Sequence, residues 1–104
     1  MYRLSLSQAA LNDINAALQY IRDVFKDPVA AENLISKIEK EFDLIKKLPF
    51  SRHLVIDAHL SSLGIRAALI KNYILFYFVD GKKKTVYIVR FLHSRRNWLN
   101  ILSH

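Results

Sequence analysis

His93 is preceded by Arg90 and followed by Ser94, Arg95, Arg96, Asn97 and Trp98. Histidine titrates near neutrality and can act as general acid or base, and arginine's planar fork grips phosphate or carboxylate at two points. Such a cluster suits phosphoryl transfer, phosphate binding or docking of an acidic protein. Arg66 joins it as a candidate, because it opens the first of three strands whose last one carries Arg90. The catalytic version requires His93, Arg66 and Arg95 in one site. The binding version requires Arg66, Arg90, Arg95 and Arg96 on one surface, with Trp98 as a large anchor for a partner. The plainer alternative is a structural histidine among solvated charges. His53, His59 and His104 have no ligand spacing, so no metal is expected, and no motif calls for a cofactor.

The elements that must position these residues are legible from periodicity. Tyr2, Leu4 and Leu6 alternate with Arg3 and Ser5, which is strand spacing. Ser7 is a candidate N-cap for a helix over about 8–25, with Leu11, Ile14, Leu18, Ile21 and Phe25 as its apolar stripe. Asp27-Pro28 then combines a cap with a proline at the first helical position, where its missing N–H costs nothing. The second helix carries Ala31, Leu34, Ile35, Ile38, Phe42, Ile45 and Leu48, and Pro49 stops it. So short a turn between two long helices makes an antiparallel hairpin.

Residues 50–64 show no sustained period and are expected to be a connection with short extended structure. From Ile65 the pattern changes. Ile65–Ile70, Tyr73–Val79 and Thr85–Leu92 are rich in β-branched and aromatic residues, and are separated by turn residues in which Asn72 and Gly81 suit left-handed backbone. The middle run is apolar on both faces and so central. Tyr73, Phe76, Tyr77 and Phe78 on it fit core better than base stacking. A helix over about Arg95–Leu102 closes the chain. The order β-α-α-β-β-β-α predicts one α+β domain over residues 1–104, its helical hairpin on one face of a mainly antiparallel sheet.

Charge is divided unequally. Residues 1–50 hold seven Lys or Arg against seven Asp or Glu, whereas residues 51–104 hold nine against Asp57 and Asp80, so the net +7 belongs to the second half. That favours a polyanion or an acidic protein as partner, with a solvated, solubilising surface as the bland alternative. Lys82-Lys83-Lys84 fits an exposed turn better than a recognition motif. There is no cysteine, hence no disulfide framework. The apolar run Tyr73–Val79 is far short of the ~20 residues of a membrane span, and the opening residues do not read as a signal peptide, so a cytoplasmic protein with no membrane role is expected.

The ordered set of Ile65-Arg66, Ile70-Lys71-Asn72-Tyr73-Ile74-Leu75-Phe76-Tyr77, Asp80-Gly81 and Val86 through Trp98 resembles the RelE/ParE superfamily of toxins. The opening Leu-Ser before a helix and the Leu-Pro after the second helix match as well, so the resemblance covers essentially the whole chain. It implies the toxin of a type II toxin-antitoxin system, a growth inhibitor held inactive in a hetero-oligomer with its cognate antitoxin. RelE-like members cut mRNA on the ribosome with basic residues and a late tyrosine or histidine. ParE-like members poison DNA gyrase. RelE-like toxins commonly carry an arginine after the tyrosine of the central strand, and here that position is Ile74, which cannot stabilise charge on a phosphate. With the long hairpin, this points to the ParE branch and to gyrase contact. The ribosome-dependent endoribonuclease and a non-toxic, antitoxin-binding relative stand as alternatives.

Overall fold

A computed structural model describes residues 1–103; His104 lies outside the described residues. Strand β1 (Arg3–Leu6) leads into α1 (Gln8–Asp23) and α2 (Pro28–Lys47), followed by α3 (Ala58–Ser62), β2 (Arg66–Ile70), β3 (Tyr73–Asp80), β4 (Thr85–His93) and α4 (Trp98–Leu102). The sheet order is β1-β4-β3-β2. Strands β2, β3 and β4 form an antiparallel meander, and β1 adds to β4 in parallel. The central place of β3 matches its apolar character on both faces. Among the described residues, no helix is long and apolar enough to cross a membrane.

Both expected caps form. Ser7 accepts from the Ala10 N–H and also donates its hydroxyl to the Val89 carbonyl, pinning the start of α1 to β4. Asp27 accepts from the Ala30 N–H ahead of α2. The hairpin packs on one sheet face around Leu34, Ile38, Ile45, Leu75, Tyr77, Val86, Ile88 and Phe91. Ala10 and Ala31 at this interface are fully buried, while Leu11 and Phe25 of the expected α1 stripe are exposed. Small residues take part of the contact line, Ala17 with them. Phe25 lies beyond the end of α1, and Leu48, also exposed, is the C-cap of α2 rather than part of its stripe.

The opposite face holds a second cluster of Val55, Leu60, Ile65, Phe76 and Leu92, with Ile74 and Trp98 packed against it. Part of its cover is α3, where only a connection with extended structure was expected. Asp57 caps α3 by accepting from the Leu60 N–H. Gly64 ends it at φ +79, with Gly64 N–H to the Ser61 carbonyl and Ile65 N–H to the Leu60 carbonyl. That pair of bonds is a Schellman stop, and the accompanying apolar contact is Leu60 with Ile65. Some extended structure is present too, since Leu54 bridges to Arg66.

Two turns differ from expectation. The left-handed residues are Lys71 (φ 53) and Lys84 (φ 47), not Asn72 or Gly81. In the Lys71-Asn72 turn only the first residue needs positive φ, the pattern of a type II′ turn. Helix α4 begins at Trp98 rather than Arg95, because Asn97 is its cap, accepting from the Asn100 N–H.

Candidate functional site

Arg66 lies opposite Tyr77 on β3. Its Nη1 donates to the Arg52 carbonyl at 2.6 Å and to the Phe50 carbonyl at 3.5 Å, and its guanidinium sits 5.1 Å from the centre of the Phe50 ring. The segment presenting those carbonyls is itself anchored. Arg52 grips Glu41 of α2 at two points, both 2.8 Å, and the hydrogen-bonded carboxylate raises the Arg52 pKa. The Tyr77 hydroxyl donates to the Pro49 carbonyl at 3.1 Å, and burial pushes that phenol up. Arg66 therefore commits its Nη1 to the carbonyls of residues 50 and 52.

Arg90 is engaged in a similar way. Its Nε and Nη2 meet the two Asp13 oxygens at 2.7 and 2.9 Å, and Asp13 also accepts the Phe91 N–H. The carboxylate raises the Arg90 pKa through these hydrogen bonds. The pairing exists because β4 bulges. Phe76 faces Arg90 while Tyr77 faces Ile88, leaving Val89 as the extra residue, and a bulge re-aims neighbouring side chains. Arg90 thus joins sheet to helix and is withdrawn from the basic surface expected around His93.

His93 ends β4 opposite Tyr73, with the two rings edge-on at 5.3 Å. It lines a cleft of about 610 Å³ between the α1-α2 connection end of the helical hairpin and the β2-β3 turn, shared with Tyr20, Phe25, Lys71, Tyr73 and Arg96. The Arg95 N–H donates to His93 Nδ1 at 3.1 Å. A donor into Nδ1 uses that nitrogen's lone pair, so the neutral ring carries its proton on Nε2 and offers the cleft a donor rather than a base. The Arg95 and Arg96 side chains are exposed.

The proposed ribonuclease residues are not drawn into one site. Arg66 is registered to Tyr77 and His93 to Tyr73, so at strand spacing they stand about 13 Å apart along β3. Ile74 points to the other sheet face, where it lines a second, apolar cleft of about 520 Å³ with Leu54, Ile56, Phe76, Trp98 and Leu99. Trp98 packs on Phe76 at 5.3 Å, so much of its surface is committed inward. The fully exposed Ile56, with Leu54 and Leu99, supplies exposed apolar side chains to this cleft. Sequence reading missed Asp13, Glu41 and Arg52, whose partners are distant in the chain. It also missed the aromatic pair Tyr20 and Phe25 in the cleft lining, because Phe25 reads as the last residue of the α1 stripe while the helix ends at Asp23. Among the described residues, no three His, Asp or Glu converge as a metal site would require.

Residues 4–98 match the family described as the ParE toxin of the type II toxin-antitoxin system parDE. The chain belongs to the ParE toxin family. No curated protein of similar sequence was found. The ParE-family fold is also that of solved structures. The chromosomal ParDE system of P. aeruginosa is similar with TM-score 0.69 and 16% identity, covering 89% of this chain and 96% of that one. The RelBE2 toxin-antitoxin complex of Mycobacterium tuberculosis is similar with TM-score 0.63 and 21% identity, covering 88% and 96%. The intact E. coli RelBE toxin-antitoxin complex is similar with TM-score 0.63 and 15% identity, covering 92% and 100%. At these identities the likeness concerns the fold. Within this ParE-family domain, the His93 cleft opens on the hairpin side of the sheet and the Ile74 cleft on the other.

Proposed function

We propose that this ParE-family chain inhibits growth by protein contact with DNA gyrase and is neutralised by a cognate antitoxin. The observation that carries the reading is Ile74. It occupies the place of the arginine common in RelE-like toxins, and it sits in an apolar cleft beside Phe76, Trp98 and Leu99. Preorganised charge is the main means of stabilising a phosphoryl transition state, and an apolar wall supplies none. The separation of Arg66 from the neighbouring His93 and Arg95 supports the same conclusion. Contact inhibition asks instead for a few large side chains with cations nearby, a description that Trp98, Leu99, Arg95 and Arg96 meet.

For the antitoxin, the His93 cleft offers an apolar floor with Tyr20 and Phe25 exposed in its lining and Lys71 and Arg96 beside them. An amphipathic segment with acidic flanks satisfies both features. In cells, expression without the antitoxin should arrest growth with induction of the DNA-damage response and intact mRNA. Arrest with new mRNA ends and no DNA damage would refute the gyrase reading.

One observation favours the ribonuclease as second reading: His93 shares its cleft with Lys71 and Arg96, an imidazole in the company of two cations. Mapping mRNA ends on translating ribosomes with the purified chain, beside His93→Ala and Arg95→Ala, tests it. Absence of cleavage by a toxic preparation would remove it.

A further inference from the structure

The Lys82-Lys83-Lys84 turn does not stand alone. The Arg3 N–H donates to the Lys84 carbonyl and the Tyr2 N–H to the Lys46 carbonyl, both at 3.0 Å. Tyr2, just before β1, and Arg3, its first residue, thereby tie the end of α2 and the β3-β4 turn to one end of the molecule. Arg3, Lys46, Lys47, Lys82, Lys83 and Lys84 converge there from three separate parts of the chain. Arg3 and Lys83 line one shallow concavity with Ser5, Thr85 and Tyr87. The His93 cleft lies at the other end of β4.

These cations are unspent. Among the described residues the ion pairs are Arg22 with Glu32, Arg52 with Glu41, and Arg90 with Asp13, and none involves this cluster. The acid within the turn, Asp80, is occupied by the Lys82 and Lys83 backbone N–H groups. Asp43, one helical turn before Lys47, forms no ion pair there. Like charges held together oppose folding, so their concentration here calls for a polyanion that relieves it.

We propose that this end of the molecule binds the phosphate backbone of duplex DNA. Its composition argues against a protein partner, because protein interfaces are depleted in lysine and enriched in aromatics at their core. The adjoining aromatic, Tyr87, is already stacked on Phe78 at 5.0 Å, so it offers little platform for unpaired bases, as a single strand would need. Lysines without base-reading partners position a duplex without selecting its sequence. The surface is separate from both clefts, and the inference stands whether or not gyrase is the target.

Fluorescence anisotropy of the purified full-length chain with a labelled duplex of arbitrary sequence provides the test. Binding is expected at low salt and should weaken steeply as salt rises, with a log-log slope of about −3.6 if four phosphates are contacted. The variant Arg3→Gln/Lys82→Gln/Lys83→Gln/Lys84→Gln should lose at least about tenfold in affinity and most of the slope. Lys37→Gln/Lys40→Gln, on the exposed side of α2, should bind as the parent does. Should the fourfold variant fold poorly, Lys82→Gln/Lys83→Gln confines the change to the exposed turn and should still lower both affinity and slope. Undetectable binding at low salt, unchanged binding by the folded turn variant, or tighter capture of polyglutamate or single-stranded RNA than of duplex DNA would each overturn the proposal.

Discussion

Arg90 of β4 holds Asp13 of α1 by two hydrogen bonds of 2.7 and 2.9 Å, across 77 residues of sequence. Both side chains are largely shielded, and Asp13 simultaneously accepts the Phe91 N–H. The pair fixes α1 against β4, whose Phe91, Leu92 and His93 form one wall of the His93 cleft. Asp13→Ala leaves Arg90 and a backbone N–H without partners, and should destabilise the fold by about 3 kcal/mol. Urea denaturation checks this. Asp13→Leu/Arg90→Met, which removes both charges, should recover more than half of the loss.

The left-handed residues give a pair of opposed effects. Gly64 has open space around its Cβ position, so Gly64→Ala meets no clash and suffers only the backbone conformation, at a cost of about 1 kcal/mol. Lys71 already bears that strain, so Lys71→Gly should be neutral to stabilising by about 0.5 kcal/mol despite the added freedom of the unfolded chain. Thermal melting of the two variants should move in opposite directions, or at least not together.

These residues also mark how far the sequence could be read. Ser7, Asp27-Pro28 and Pro49 act through local chemistry, and the helices start and stop there. The unbroken apolar run of Tyr73 through Val79 likewise marks β3 as central. By contrast α3 spans five residues, too few for a period to emerge, although Asp57 and Gly64 were capping signals at its two ends. Ile14, Leu18 and Ile21 of the expected α1 stripe pack in the core, but Ala10 and Ala17 complete its contact line in place of Leu11 and Phe25, because alanine scores weakly in any apolar stripe. For the site, His93, Arg95 and Arg96 were visible as types. Which arginines stay free was not, since Asp13, Glu41 and the Phe50 and Arg52 carbonyls meet their partners only through the tertiary fold.

Tyr77 provides a pH-dependent test. Its phenol is buried and bonded to the Pro49 carbonyl, and burial raises its pKa above the ordinary value. A phenol whose folded pKa is raised contributes stability that is complete below the unfolded pKa, about 10, and is lost as pH rises through the folded value. Stability should hold to about pH 10 and then fall. Tyr77→Phe should cost about 1 kcal/mol at neutral pH, through the unsatisfied carbonyl, and flatten that alkaline fall. An alkaline fall unchanged in Tyr77→Phe would assign it to other groups.

Toxicity variants separate contact from catalysis. His93→Gln keeps a hydrogen-bonding side chain but cannot titrate, and under the contact reading it should preserve most of the growth inhibition. Arg95→Ala/Arg96→Ala should abolish inhibition while leaving the melting temperature near that of the parent, because both side chains are exposed. Trp98→Ala should lose activity and also about 2 kcal/mol of stability, since it removes the packing on Phe76. Leu99→Ser is the cleaner probe of this face. A colony-count assay with each chain expressed from a repressed promoter reads all four.

The most direct measurement is gyrase-catalysed supercoiling of a relaxed plasmid in the presence of the purified chain. The expected result is inhibition at toxin concentrations near those of the enzyme, with trapped cleavage complexes appearing as linear DNA after denaturation, and with Arg95→Ala/Arg96→Ala inactive in the same assay. Full supercoiling and no trapped complex, at toxin concentrations well above those of gyrase, would contradict contact with gyrase and return the ribonuclease reading to first place.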